Sequence, residues 1–184
     1  MSVRDRGRAV LGEIGRVVDR LDEQAVAEAC AMIAAAGRVM LYGCGREGLA
    51  IRGFAMRLHH LGLAATMQGD MAAPPLGPGD LFVTSAGPGE LGTVGSLMRT
   101  ARDAGADVLF LTAVPDTPSA ALATRVLEVP AQTMATDAED GSAMPMGSAY
   151  EGALFVLFEA MVADLSDLLG QGPDAMRARH TNME

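Results

Sequence analysis

Two glycine-rich segments, each following a short apolar run and preceding a helical pattern, constrain the fold of this chain more than any other feature. The first, Gly43-Cys44-Gly45-Arg46-Glu47-Gly48, follows Val39-Met40-Leu41-Tyr42, and the second, Ser85-Ala86-Gly87-Pro88-Gly89-Glu90, follows Leu81-Phe82-Val83. Junctions of this kind belong to parallel sheets, which bind ligands outside the carboxyl ends of their strands. A helix that starts there offers unpaired N–H groups and the positive end of its dipole. A pair of such junctions in one small domain points to a small anionic ligand, a phosphosugar or a nucleotide.

The rest of the chain repeats the alternation. Val10, Ile14, Val17, Val18, Leu21, Val26 and Ile33 recur at helical spacing across about 7–36, with a break near Asp22. Strands are predicted at 38–42, 63–68, 80–85, 107–112 and 125–129. The helix after the first turn carries Leu49, Ile51, Phe54, Ala55, Leu58 and Leu61 and ends at Gly62. Further helices are predicted at 92–104, 118–123, 149–169 and 173–179, and the Met-rich segment 130–147 reads as loop. The fold class is therefore α/β: a three-layer, doubly wound, five-stranded parallel sheet of the flavodoxin/Rossmann kind.

A chain of 184 residues, 49% hydrophobic and 20% charged, builds one domain with an ample core. We divide it into an N-terminal helical region (1–36), an α/β core (37–147), and C-terminal helices with a tail (148–184). The net charge of −9, with no basic stripe against it, argues against nucleic acid as a partner. An anionic ligand must then meet a local cationic pocket, for which Arg46, Arg52 and Arg57 are the candidates. Cys30 and Cys44 make no disulfide framework, and no metal-ligand cluster is recognisable. The charged start, Arg4 to Arg8, lacks the apolar core of a signal peptide, and Glu151 and Glu159 interrupt the best candidate for a membrane span. The expected setting is cytoplasmic, with no membrane. Helix 149–169 is apolar on nearly every face, which calls for burial on several sides and hence for a subunit interface.

The first turn matches the dinucleotide-binding pattern, and Asp70 lies near the expected distance for a ribose-binding acid. Asp70 nevertheless falls after Gly69, beyond the strand end, and no second domain is left to hold a hydride acceptor. In the second turn Pro88 has no N–H to donate, so Ser85 is the principal hydroxyl donor. Glu90 could cap the following helix or touch substrate, although its charge would repel a phosphate held there. Glu151, in the first turn of its helix, is a candidate base or a simple helix-start carboxylate. His59 and His60 read as structural, while His180 sits in a polar tail that could fray or reach across an interface.

Taken together, these segments resemble the sugar-isomerase (SIS) domain family, and within it the 6-phospho-3-hexuloisomerases. The resemblance rests on the first glycine turn, Phe54-Ala55-Met56-Arg57-Leu58 with His60-Leu61-Gly62, Pro145-Met146-Gly147-Ser148 with Glu151, and the tail Arg179-His180-Thr181-Asn182-Met183-Glu184. It covers nearly the whole chain, in order. It implies a homotetramer with active sites shared between subunits, no metal and no cofactor. It implies Glu151 and His180 as acid/base residues, with a phosphosugar held by Gly43, Gly45, Arg46, Arg57, Ser85, Gly87, Gly89 and Glu90. The implied reaction interconverts 3-hexulose 6-phosphate and fructose 6-phosphate through an enediol. Another aldose–ketose sugar-phosphate isomerase, or a non-catalytic sugar-phosphate-binding protein, is the alternative. The family's second turn usually reads Ser-Gly-Ser-Gly-Glu-Thr, whereas this chain has Pro88 and Leu91 and lacks the later hydroxyls. Met144 stands where a Gln commonly precedes Pro-Met-Gly. Each lost hydrogen bond to a charged phosphate is worth about 1.5–3 kcal/mol.

Overall fold

The computed structural model describes residues 1–136 and 142–183; positions 137–141 of the expected 130–147 loop, and the terminal Glu184, lie outside the described residues. A capping box between Ser2 and Asp5 opens α1 (Val3–Val18), several residues before the hydrophobic period begins. Its first turns are exposed, so periodicity is silent there and the cap alone marks the start. Asp22 accepts the N–H groups of Gln24 and Ala25 and starts α2 (Glu23–Ala35). There follow β1 (Val39–Gly43), α3 (Gly45–His60), β2 (Ala65–Met67), β3 (Leu81–Ser85), α4 (Gly92–Asp103), β4 (Asp107–Thr112), β5 (Arg125–Glu128), α5 (Ser148–Leu169) and α6 (Pro173–Ala178). The helix expected at 118–123 is only a single 3₁₀ turn, Ala120–Leu122.

The strands form one parallel sheet in the order β2-β1-β3-β4-β5. All five residues of β3 are buried, as a central strand covered on both faces requires. Alternate side chains divide between two cores. Leu81 and Val83 of β3, with Leu109 and Leu111 of β4, pack towards α2, α3 and α5. Phe82, Val108 and Phe110 pack towards Val94 and Met98 of α4. Phe54 and Phe158 stack at 4.4 Å between ring centroids and lock α3 onto α5.

Two expectations about helix faces need correction. Leu49 falls on the apolar period of α3 but is 69% exposed. Only part of the apolar surface of α5 is left for a second subunit to cover. Its residues Ala153, Leu154, Leu157, Phe158, Met161 and Leu165 are buried within one chain, in a core shared with α2 and α3. Phe155, 63% exposed, and Leu168 remain outside that core.

The chain winds from β1 out to β2 and then returns to place β3 on the other side of β1. That reversal opens a crevice at the carboxyl ends of β1 and β3. Register makes it sharp, because Gly43 pairs with Ser85 across the two strands. Both glycine turns therefore leave the sheet side by side.

Candidate active site

The first turn is built around close contact between strand and helix. A Cβ on Gly43 would come within 3.0 Å of the Gly48 Cα, and one on Gly48 would overlap the Gly43 carbonyl. Those two glycines are architectural and do not line the cleft. Gly45, at φ +54°, begins α3. Cys44 provides no side-chain cap for that helix, and α4 and α5 start without side-chain caps as well. All three helix starts border one cleft of about 650 Å³, lined among others by Gly45, Arg46, Glu47, Gly87, Leu91, Ser148 and Glu151.

Arg46 holds the far wall of this cleft together. Its Nε lies 2.9 Å from Glu151 Oε2, Nη1 donates to Ser148 Oγ at 2.8 Å, and Nη2 donates to the Met146 carbonyl at 2.6 Å. Met146 has φ +59° and Gly147 φ +76°. Met146 is the one described non-glycine residue in the left-handed region, a local strain of the kind that collects at functional sites. This pair of residues turns the chain into α5 and leaves Glu151 on its first turn. The Glu151 side chain is 20% exposed. Burial pushes its carboxyl above the ordinary value, the Arg46 guanidinium pulls it down, and the negative charge of Glu47 pushes it up. The net direction is upward, towards a stronger base.

The opposite wall belongs to Glu47, which the sequence motifs do not single out. Its carboxylate accepts the Ser85 hydroxyl at 2.5 Å and the Gly87 N–H at 3.1 and 3.2 Å. Ser85 has one hydroxyl hydrogen and gives it to the carboxylate. The Tyr150 hydroxyl, 3.0 Å from Ser85 Oγ, therefore donates into Ser85. Tyr150 is fully buried, and desolvation followed by the Glu47 charge holds its phenol protonated, well above its ordinary pKa. Glu47 is itself pushed up by burial, against the pull of Ser85 and Gly87. Gly87 is required here, since a Cβ would sit 2.9 Å from the Tyr150 ring. A signal for Glu47 does exist in the sequence: adjacent parallel strands end at the same level, so an acidic residue one turn into α3 faces the neighbouring turn.

Six of the expected site residues are absent from the cleft lining: Gly43, the fully buried Ser85, and the four described next. Arg57 pairs with Glu159 at 3.6 Å between α3 and α5, outside the lining. Glu90 caps nothing: Leu91 is the N-cap of α4, and Glu90 Oε1 accepts the Ser119 hydroxyl at 3.1 Å. Gly89, at φ +88°, packs against Val114 and Thr117. His180 lies against His60, with ring centroids 5.2 Å apart and the rings tilted by 30°. The tail carrying it is fastened by Arg179, which donates to the His60 carbonyl and to Gln171 Oε1. His60 closes α3 whereas Gly45 opens it, so His180 stands at the opposite end of a helix about 24 Å long at 1.5 Å per residue.

No helix among the described residues is long and apolar enough to cross a membrane.

No protein-family model matches the chain, but curated proteins do. A 3-hexulose-6-phosphate isomerase of Mycobacterium gastri is 35% identical over 175 residues, spanning 95% of this chain and 88% of that protein. Another, of Methylomonas aminofaciens, is 34% identical over 176 residues, spanning 95% of this chain and 96% of that one. Among solved structures, a hypothetical protein with 25% identity matches at a TM-score of 0.89, over 98% of this chain and 97% of its own.

Proposed function

The chain belongs to the 3-hexulose-6-phosphate isomerase family, and we propose that it interconverts 3-hexulose 6-phosphate and fructose 6-phosphate through an enediol. The observation that carries the mechanism is Glu151, a largely buried carboxylate of raised basicity held at the cleft by Arg46. Moving the carbonyl between adjacent carbons takes one proton from carbon and returns it to the neighbouring carbon. The two oxygens exchange a proton in the same sense, from O3 to O2 as the carbon-bound proton goes from C3 to C2. Glu151 carries the carbon-bound proton: it removes the hydrogen of C3 from fructose 6-phosphate and delivers it to C2 of the enediol. Arg46 offsets the negative charge that develops on the enediolate oxygens.

His180 moves the oxygen-bound proton, and it comes from a second copy of the chain. The length of α3 supports this, because His180 of the same chain lies at the wrong end of that helix. We accordingly infer a homo-oligomer, a tetramer with shared sites. Exposed Phe155 on α5 and Met56 on α3 provide apolar surface for the contact.

Isotope exchange tests the reaction. With fructose 6-phosphate in heavy water, deuterium accumulates at C3, as NMR of the recovered sugar will read. Uptake at C1 would mean an aldose–ketose isomerase. Binding with no uptake at either carbon would mean a non-catalytic sugar-phosphate-binding protein.

The base also sets the pH profile. Glu151 must be ionised to accept a proton, and its carboxyl lies above the ordinary range. The acid limb of kcat/KM therefore falls at a higher pH than an ordinary carboxylate would give. Arg46 lowers that carboxyl, so Arg46→Met raises it and moves the acid limb to still higher pH, with a fall in the plateau. A limb that stays in place, or moves down, contradicts the assignment.

A further inference from the structure

The turn 85–89 has the shape of an anion cradle, but its donors are already committed. The Ser85 hydroxyl and the Gly87 N–H both donate to Glu47. The Ala86 N–H donates to the Leu111 carbonyl at 3.1 Å, and the Gly89 N–H to the Ala86 carbonyl at 2.9 Å. Pro88 has no N–H. Resting on the phosphosugar reading above, we propose that Glu47 is the resident anion of this turn and that it excludes phosphate from it. The turn then receives a hydroxyl-bearing part of the sugar, and the phosphate is held elsewhere in the cleft.

The charge balance supports this assignment. A phosphate seated on Ser85 and Gly87 would either displace the Glu47 carboxylate or lie in contact with it, and like charges at that separation in a partly buried site repel strongly. A sugar hydroxyl meets the opposite situation. A carboxylate has about four lone-pair directions, and the protein fills only some of those on Glu47. A hydroxyl can donate to one that remains, since Glu47 lines the cleft. The start of α3 at Gly45 lines the same cleft and has no side-chain cap, so it offers the phosphate a place outside this turn.

Inorganic phosphate separates the possibilities without any turnover. In the wild-type protein, titration with phosphate should leave the Gly87 amide resonance in place. In Glu47→Ser, the same amide should move with phosphate, and phosphate affinity should rise at least tenfold. Glu47→Gln keeps the volume and one acceptor while removing the charge, so it serves if the serine variant folds poorly; it too should bind phosphate more tightly than wild type. A wild-type Gly87 amide that titrates as the serine variant does would overturn the proposal, as would the absence of any affinity gain in both variants. Loss of the isomerase reading by isotope exchange would leave these outcomes untouched, so the two failures are distinguishable.

Discussion

Glu151→Gln should lower kcat by about 10²–10⁴-fold, the range that a positioned acid/base group contributes, while sugar-phosphate binding stays nearly intact. Gln keeps the length of the side chain, and its amide oxygen can still accept from Arg46 Nε, which now reaches Glu151 at 2.9 Å. The clamp on Ser148 and Met146 therefore survives, and what is lost is the ability to take a proton from carbon. Turnover near the wild-type value would remove Glu151 from the mechanism. Location of the partner residue can be tested by complementation. If His180 comes from a second copy, Glu151→Gln and His180→Gln chains are each nearly inactive alone, but their co-expressed mixture recovers activity. Only a mixed oligomer combines the intact Glu151 of one chain with the intact His180 of another. Sites built within one chain would stay defective in every mixture.

The sheet is legible because it is written in redundant signals. The expected and observed bounds of β4 coincide, since Asp107 to Thr112 is an apolar run closed on one side by Gly105. The two turns point to the β1/β3 crevice without any knowledge of topology, because glycine at a strand end next to a helix start has few other uses. Pairing across the crevice is what the sequence hides. Glu47 sits inside a motif whose glycines draw attention to the backbone, and its partners Ser85 and Gly87 are distant in sequence. Arg57 misleads for a related reason: it lies on the same helix as Arg46, but three turns further along, where it meets Glu159 instead of the cleft. Periodicity reports which face of a helix is apolar and is silent about which end reaches a ligand.

Gly48→Ala should be the most damaging small substitution in α3. The Cβ of alanine would overlap the Gly43 carbonyl oxygen and lie 3.0 Å from its carbonyl carbon. Both are backbone atoms, and Gly43 is held in register against Ser85, so neither side can turn away as a flexible side chain would. The helix or the strand must move, at a cost of about 2–3 kcal/mol or more. For a domain of this size that lowers Tm by about 4–12 °C. Gly53 provides the contrast, since it lies on the exposed face of the same helix, and a methyl group added there would meet nothing within 4 Å. Gly53→Ala should stabilise by about 0.5–1 kcal/mol through helix propensity alone. Thermal unfolding of the two variants should therefore shift in opposite directions. A Gly48→Ala protein as stable as wild type would mean that strand and helix are not in contact at this point. Activity should follow the same division. Forcing β1 and α3 apart displaces Arg46 and Glu47, which depend on the start of α3 for their position, whereas Gly53→Ala leaves both where they are.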